Sequence, residues 1–455
     1  MPVWNRDTAR HLLSRALFGY RRADLDRALS YPTLDAFVDK ELLSDNTLPP
    51  PPGIWVDETP VANDPNIGAR TRELVYWWYD QMLTQGPSLR EKMVLFFHSH
   101  FTSERDKVNY PQFMHIQNAL FRKYAFGDLR QLTKDVTTDP AMLIYLDGRG
   151  SNKNGPNENY ARELLELFTL GIGNYTETDI KQAAKALTGW RVNGLKSEFD
   201  ATRFDTGQKT FLGKTGNFGY KEIVDIVYQQ DVCAEFWCRK LCTEFQFYKP
   251  DAAFVKKLAA ILRANDFTLK PVLKALFTSD EFYASNVIGA KIKSPTELLI
   301  GTLKALDVPS MTAADWGYVY DMGRNLQQWI FEPPNVAGWP GQRDWISSNT
   351  YPQRGGYSDA LINGRQLSGR VLNLKFKPID YARTYAKPED AVQLVEDISN
   401  AFMQFPLSAV KKKQLLDALL DGTIVANWST NTPMADARIN RFLKALMRLP
   451  EYQLC

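Results

Sequence analysis

The sequence NENYARELLELFTLGIG, from Asn157 to Gly173, carries a complete helix signal and several ionisable side chains in one short span. The turn Gly155-Pro156 precedes Asn157, whose side chain can cap the first turn, and Gly171 stands where helices commonly end in a left-handed conformation. At about 100° per residue, one side of this helix is apolar. The opposite side carries Asn159, Arg162, Glu163 and Glu166. The pattern predicts an amphipathic central helix with an acidic polar face.

The polar face of this central helix has two interpretations. Glu163 and Glu166, with Glu158 near the positive end of the helix dipole, supply the carboxyl groups that hydrolysis of a glycosidic bond needs, one protonated and one ionised. The alternative is an ordinary solvated face, in which an i,i+4 pair of Arg162 and Glu166 contributes roughly 0.3 kcal/mol. The preceding polar loop, 147–156, favours a site, since loops on rigid scaffolds often carry function.

The composition is that of a globular chain. Its 455 residues are 44% hydrophobic and 24% charged with a net charge of +3, so a sizeable core can form, and the length indicates two or three lobes. The basic residues form no tract of five, which argues against nucleic acid and anionic membranes as partners. No apolar run reaches the roughly 18–20 residues needed for membrane insertion. The amino terminus lacks an apolar signal-peptide core, which predicts a cytoplasmic protein, or a periplasmic or exported one if a leader has been removed.

Helical periodicity dominates the chain, so the sequence predicts a mainly α, multi-helix globular fold with a small β-hairpin excursion around residues 195–218. We interpret the chain as one integrated unit built from successive segments. These are an N-terminal helical segment (1–48), a proline-rich linker (49–66), a central helical core (67–330, with the hairpin excursion at 191–219), a Trp/Gly/Pro loop (331–366) and C-terminal helices (367–455).

Two of the four histidines, His98 and His100, fall on one predicted helix. An H-x-H pair on a strand points both rings the same way and suits a metal, but on a helix the rings lie about 200° apart and cannot chelate from one face. We therefore predict no metal, with a chelate open only if the helix ends between the two histidines, while a histidine remains a catalytic candidate. Cys233, Cys238 and Cys242 share another helix without a second ligand pair, so we expect them to line the core. No cofactor is predicted.

The Trp/Gly/Pro loop is too rich in large apolar rings to be a disordered connection. We expect it to fold over the central helix, so that Arg343, placed between Trp339 and Trp345, approaches Glu163 and Glu166 and offsets their repulsion. The alternative is that the tryptophans only fill a gap between lobes and contact nothing polar.

The candidate site residues form two groups. The catalytic candidates are Glu158, Glu163, Glu166, His98 and His100. The substrate-binding candidates are Asn157, Arg162, Trp190, Asp205, Lys209, Trp339, Arg343 and Trp345. In this hypothesis carboxylates act as acid and base, cations hold an anionic or hydroxylated group, and tryptophans stack on a sugar ring.

Several segments together match the motifs of one known family. They are FFHSHF (Phe96–Phe101), DPAMLIYLDG (Asp139–Gly148), PNENYARELLELFTLG (Pro156–Gly171), ALTGW (Ala186–Trp190), FDTGQKTFLG (Phe204–Gly213), KSPTEL (Lys293–Leu298) and PPNVAGWPGQRDWI (Pro333–Ile346). On these motifs the chain resembles, over nearly its whole length, the bacterial family known as domain of unknown function 1800. Phe168 and Phe204 stand where the family pattern has histidine, so any metal site that used those histidines in relatives would be lost here.

The resemblance implies little about activity. Relatives are often exported and encoded beside a second, sulfatase-like family, which implies envelope or polysaccharide work and a sulfatase-like partner protein. Our leading hypothesis is a hydrolase-type enzyme acting on a glycan or another hydroxylated or anionic small-molecule substrate through a carboxylate-lined cleft. The alternative is a non-catalytic binding or scaffold protein whose charges form a buried polar network.

Overall fold

A computed structural model describes residues 2–44, 48–363, 365–367, 370–372 and 376–455. The predicted N-terminal segment (1–48), Trp/Gly/Pro loop (331–366) and C-terminal segment (367–455) each include positions outside these ranges. Within the described residues the fold is mainly α, as predicted, with short antiparallel hairpins.

Helices and strands follow one another along the described chain. The α-helices are α1 (Arg6–Ala16), α2 (Arg22–Leu29), α3 (Leu34–Phe37), α4 (Ile67–Thr84), α5 (Arg90–His100), α6 (Arg105–Val108), α7 (Pro111–Lys123), α8 (Leu129–Thr137), α9 (Pro140–Tyr145), α10 (Asn159–Glu163), α11 (Glu177–Ala186), α12 (Tyr220–Tyr228), α13 (Asp231–Phe245), α14 (Ala252–Ala264), α15 (Leu269–Phe277), α16 (Pro295–Ala305), α17 (Ala313–Asn325), α18 (Thr350–Asn363), α19 (Pro378–Arg383), α20 (Ala391–Phe402), α21 (Ala409–Leu420) and α22 (Ala435–Met447). The strands are β1 (Trp190–Asn193), β2 (Lys196–Phe199), β3 (Lys209–Phe211), β4 (Lys214–Gly216), β5 (Arg365–Leu367) and β6 (Arg370–Leu372).

The predicted β excursion is confirmed and consists of two hairpins, in which β1 pairs with β2 and β3 with β4. Leu212 and Gly213, which join β3 to β4, have φ angles of 45° and 78°. Positive φ at both positions is what a tight two-residue hairpin turn requires. A third hairpin, β5 with β6, lies outside the predicted excursion.

One connected cluster of buried apolar side chains extends from Ala9 in α1 to Tyr452 near the end of the chain. The apolar side of the central helix belongs to this cluster, and Leu164, Leu165 and Phe168 are fully buried. Each such side chain contributes roughly 1.5–3 kcal/mol on burial, so tertiary packing stabilises the segment more than helix propensity does. The division into lobes and the segment boundaries stay predictions.

The central helix changes its hydrogen bonding halfway along. Helix α10 is followed directly by a π-helical turn, Leu164–Thr169. The amide of Leu170 donates to the carbonyl of Leu165 at 3.0 Å, the i to i+5 bond that defines such a turn. The sequence predicts a helix here but does not distinguish its π-helical part, since both forms keep the same residues buried.

Both ends of the central helix are as predicted. The N-cap position is Glu158, and the Asn157 side chain just before it accepts a hydrogen bond at 2.8 Å from the amide of Asn159, so it satisfies a first-turn amide as predicted. Gly171 has a φ of 82°, the left-handed conformation in which the segment ends. Asn157 therefore has a structural role at the helix start.

The Trp/Gly/Pro loop is shorter than predicted, because α18 begins at Thr350 and includes Gly355 and Gly356. The Thr350 hydroxyl accepts from the amide of Ser347 at 2.9 Å, and the Ser347 hydroxyl accepts from the amide of Thr350 at 3.0 Å. This reciprocal pair starts a helix that the glycine pair conceals in the sequence. The irregular part, residues 331–349, is called the Trp loop below.

The proline-rich linker packs against α4. Trp55 is buried, and its indole N–H donates to Glu73 at 2.9 Å. The Trp77 indole N–H in turn donates to the carbonyl of Pro50 at 2.8 Å. The linker is therefore held on the surface by specific contacts with one helix.

Candidate functional site

Helices α5 and α13 present matching faces to one open cleft of about 390 Å³, which we call the tryptophan cleft. Its α5 wall is formed by Lys92, Leu95, Phe96, Ser99 and His100. Its α13 wall is formed by Phe236, Arg239, Lys240, Thr243 and Glu244. Both sets follow the spacing i, i+3, i+4, i+7, i+8, which places their members on one side of a helix. The volume lies within the roughly 300–1,000 Å³ typical of ligand pockets.

The Trp loop forms the third wall of this cleft. Trp339 and Trp345 line it and are 8% and 5% exposed. The polar side chains of Ser294, Gln328 and Gln342 complete the lining. Apolar rings, charged groups and hydrogen-bonding groups therefore converge on one space, as in small-molecule sites.

The Trp loop is seated on α5 through a glycine. Gly338 has a φ of +82°, and a Cβ atom there would lie 2.1 Å from the backbone oxygen of Ser99. The next residue, Trp339, donates its amide to Ser99 Oγ at 3.4 Å, and its ring centroid lies 5.5 Å from that of His98. Only glycine allows such a close approach between backbones, so this contact sets the position of the tryptophans.

The Trp loop packs on α5 and makes no ion pair with the polar face of the central helix. Arg343 is exposed, and within the described residues it pairs with none of Glu158, Glu163 and Glu166. The predicted approach of Arg343 to Glu163 and Glu166 is therefore wrong, because the Gly338 contact directs the loop to α5. The alternative that the tryptophans contact nothing polar stays a prediction, because the bond to Ser99 is made by the backbone amide of Trp339, while its ring packs against the ring of His98.

His98 and His100 lie on opposite sides of α5, as the helical spacing predicts. His98 packs behind the cleft, edge-on to Trp339, and burial lowers its pKa to about 3. His100 lines the cleft, and its Nε2 lies 2.9 Å from the Phe168 carbonyl of the central helix. Burial, and then the charge of Lys240, keep the pKa of His100 well below its usual range. Both rings are therefore neutral at pH 7, and His100 donates its Nε2 proton to Phe168.

A buried ion network forms the floor of the tryptophan cleft. Glu297 contacts the ammonium groups of two floor lysines, Lys92 and Lys291, the latter at 2.8 Å. Glu244 lies 2.7 Å from Lys291. Burial alone would raise the pKa of Glu297, but the two ammonium groups lower it well below its usual range. Because Glu297 also accepts from the Ser294 amide at 2.6 Å in the capping box of α16, the network is fixed to a helix start.

The polar face of the central helix forms local pairs. Arg162 binds Glu177 through bonds of 2.8 and 2.9 Å and lies 3.6 Å from Glu158, so the expected i,i+4 pair with Glu166 is absent. Glu166 accepts from a tyrosine hydroxyl at 2.7 Å. Glu163 is half-buried, and burial, followed by the charge of Glu166, raises its pKa. None of these five residues lines the tryptophan cleft.

The hairpin candidates also lie outside this cleft. Lys209 is buried, and its ammonium group donates hydrogen bonds to the carbonyls of Asp205 at 2.6 Å and Gly207 at 2.9 Å. Trp190 packs against the ring of Tyr220, with 5.2 Å between ring centroids. Since carbonyl groups already satisfy the lysine, it holds the hairpin loop together instead of presenting a free charge.

Sequence reasoning missed the charged residues of the cleft, namely Lys92, Arg239, Lys240, Glu244 and Lys291. The sequence contains a signal for the members of this set that lie on α13. In DVCAEFWCRKLCTEF the cysteines mark the apolar stripe of α13, and all three are buried as predicted. The opposite stripe, at the same helical spacing, is the cleft wall.

A larger cleft of about 700 Å³ lies between α19 and the connection from α16 to α17. Its lining includes Met311, Phe376 and Tyr381, and none of the residues singled out from the sequence. The tryptophan cleft is the stronger candidate, because its charged, aromatic and hydrogen-bonding groups converge from three separate walls.

Two features are absent from the part of the chain that the structure describes. No group of three or more His, Cys, Asp or Glu side chains is arranged to hold a metal ion there. No helix there is both long and apolar enough to cross a membrane. The absence of a bound metal in the protein itself stays a prediction.

The profile of the family described as "Protein of unknown function (DUF1800)" matches residues 11–454. The chain belongs to this family. The match includes α5, α13 and the Trp loop, so all three walls of the tryptophan cleft lie within the family region. Comparison with curated proteins gives no match, and neither does comparison with solved structures.

Proposed function

We propose that the tryptophan cleft binds a hydroxylated, ring-containing ligand such as a short segment of a glycan. The observation that carries this proposal is the convergence of Trp339 and Trp345 with a set of polar side chains on one cleft. Indole rings pack on the apolar faces of sugars, while side-chain hydroxyls and amides bond to sugar hydroxyls. Ser99, Thr243 and Gln328 supply such groups.

The anchoring of the cleft walls supports binding by a preformed site. Gly338 holds the Trp loop against α5, and the Glu297 network joins the floor to the start of α16. A ligand entering such a cleft orders few side chains, so little of the interaction free energy is lost to conformational entropy.

Binding can be tested with an array of neutral, uronate-containing and sulfated saccharides, followed by titration calorimetry on those that bind. Trp339→Phe and Trp345→Phe should each weaken binding by about 5- to 10-fold, because a smaller ring covers less of the sugar. Trp190→Phe is the matched control, since this tryptophan lies in a hairpin outside the cleft, and it should leave affinity unchanged. The proposal fails if no saccharide binds, or if all three variants lose affinity equally.

Hydrolysis is a second candidate function, favoured by a carboxyl pair outside the tryptophan cleft. Asp106 lies 2.7 Å from Arg105 Nη2, and Glu332 contacts the same nitrogen. Arg105, Asp106 and Tyr320 line a cleft of about 340 Å³. Burial raises the pKa of Glu332 to about 8 despite Arg105, and Asp106 adds to this. Burial alone would raise the pKa of Asp106, but its hydrogen bonds with Arg105 and Glu332 outweigh burial and lower the pKa. Acid–base hydrolysis uses such a pair, with one carboxyl group protonated and the other ionised.

Release of reducing ends from the saccharides that bind would test this second candidate. Glu332→Gln should abolish release if the pair acts as acid and base, while Glu163→Gln and Glu166→Gln should not. Loss of release in either central-helix variant alone would assign the acid–base role to the predicted glutamates instead. Binding without any release would leave recognition as the function of the cleft.

The compartment and the protein partner are also proposals. A cytoplasmic location is one proposal, and the other is the exported location, with a sulfatase-like partner protein, that the family resemblance implies. Fractionation of cells producing the protein from its natural gene, followed by co-purification, would separate these. A glycan ligand fits the exported alternative better, because polysaccharides are mainly envelope components.

A further inference from the structure

We infer that the ligand of the tryptophan cleft carries an anionic group, such as a carboxylate or a sulfate, and that Arg239 and Lys240 hold this group. The inference rests on the proposed binding function and assigns it a charged class of ligand. The anionic group would lie at the α13 wall, and the ring of the ligand would pack on the aromatic wall formed by the Trp loop.

The positively charged side chains of the cleft differ in whether a carboxylate lies close enough to pair with them. The two floor lysines both contact Glu297, and one of them also lies 2.7 Å from Glu244. Arg239 and Lys240, by contrast, form no ion pair with a carboxylate anywhere in the described ranges. Glu244 is the single carboxylate among the residues that line the cleft. The cleft therefore keeps its unbalanced positive charge at the α13 wall.

The surroundings of Lys240 favour an anionic partner. Its ammonium group lies 5.2 Å from the ring of Phe236, one turn earlier on the same helix. The side chain is half-buried, and burial lowers its pKa to about 8 without any compensating carboxylate. The group is still mostly protonated at pH 7, and because it is partly desolvated its attraction to an anion exceeds that of a fully hydrated lysine.

Arg239 complements this point charge. It is exposed and lines the same wall, so its guanidinium group is accessible from the cleft. A planar guanidinium can bind two oxygens of one carboxylate or sulfate, while an ammonium adds a single strong donor. The pair suits a compact oxyanion attached to a ring that packs on Trp339 and Trp345. An acidic or sulfated sugar has both parts.

The test compares matched saccharides on one array, each in neutral, uronate and 6-sulfated form, with the full chain and its Arg239→Gln and Lys240→Gln variants. The wild-type chain should bind an acidic form more tightly than its neutral counterpart. Each variant should lose about 10- to 100-fold affinity for the acidic form, the usual effect of removing a charge-assisted bond, and keep its affinity for the neutral form. Lys256→Gln on α14 removes an equal charge from an exposed position outside the cleft and should change neither affinity.

The outcomes separate this inference from the function on which it rests. Equal wild-type affinity for neutral and acidic forms, or variants that weaken both forms alike, would overturn the inference and leave saccharide binding intact. Failure of every saccharide to bind would overturn both. Preference for the uronate or the sulfated form identifies which oxyanion the two residues hold, and competition by inorganic sulfate that is lost in Lys240→Gln would support a sulfated ligand.

Discussion

Replacing Gly338 with alanine should displace the Trp loop from its contact with α5. The added Cβ would lie 2.1 Å from the Ser99 backbone oxygen and 2.7 Å from its hydroxyl oxygen, and the residue has a φ of +82°. The backbone oxygen belongs to a buried helix and cannot move aside. The loop must therefore lift, and Trp339 must leave its position beside His98.

The cost has two parts. An alanine in the left-handed region costs roughly 1–2 kcal/mol, and the steric overlap adds roughly 1–3 kcal/mol by analogy with overpacked cores. Gly341→Ala in the same loop is the matched control, because this glycine has a φ of +76° but nothing within 4 Å of its added Cβ. The ψ of Gly341 is −177°, so an alanine there is strained at least as much as in the left-handed region but meets no steric overlap. Faster cleavage of Gly338→Ala than of this control therefore reports the contact with Ser99.

Limited trypsin digestion measures this difference, since Arg343 offers an exposed cleavage site within the Trp loop. When the loop opens and closes faster than it is cut, the rate follows the population of the open form. A difference of roughly 1–3 kcal/mol predicts cleavage about 5- to 150-fold faster in Gly338→Ala than in Gly341→Ala. Rates are normalised to the same chains unfolded in urea, and Arg343→Gln confirms the cut. Equal normalised rates in the two glycine variants would refute the proposed seating of the loop.

Three further predictions concern stability and metal content. The pKa of His98 is lowered from 6.5 to about 3, so its contribution to stability is complete above pH 6.5 and is lost as the pH falls towards 3. Urea denaturation of His98→Phe should therefore show about 1.4 kcal/mol less loss of stability between pH 8 and pH 5.5 than the wild-type chain, and an equal loss would contradict this. Glu297→Gln removes the carboxylate that two buried lysines share and leaves them only Glu244, so it should cost roughly 3–5 kcal/mol in the same assay. Glu177→Gln at an exposed pair should have a much smaller effect. Elemental analysis of protein purified without chelator should find no stoichiometric metal, and a full equivalent of zinc or iron per chain would contradict the prediction.

Local features of this protein follow from the sequence alone. The limits of the central helix follow from Asn157 and Gly171, because capping and left-handed conformations depend on a few neighbouring residues. The opposite directions of His98 and His100 follow from helical geometry, and the hairpin excursion follows from the loss of helical spacing. Each of these needs only short-range interactions, so the pattern of residues is sufficient to predict it.

The composition of the cleft was decided by the tertiary structure. Periodicity shows that the buried cysteines of α13 leave a separate stripe on its other side, but it does not show that this stripe faces Lys92, Ser99 and His100 of α5. The Trp loop bonds to a serine 240 positions away, and nothing local in either segment indicates that partner. Arg343 and Lys209 illustrate the same limit, since Arg343 is exposed and pairs with none of the predicted glutamates, and Lys209 is satisfied by carbonyl groups of its own loop. Which faces meet depends on how all the helices bury their apolar surface together, and this is a property of the whole chain.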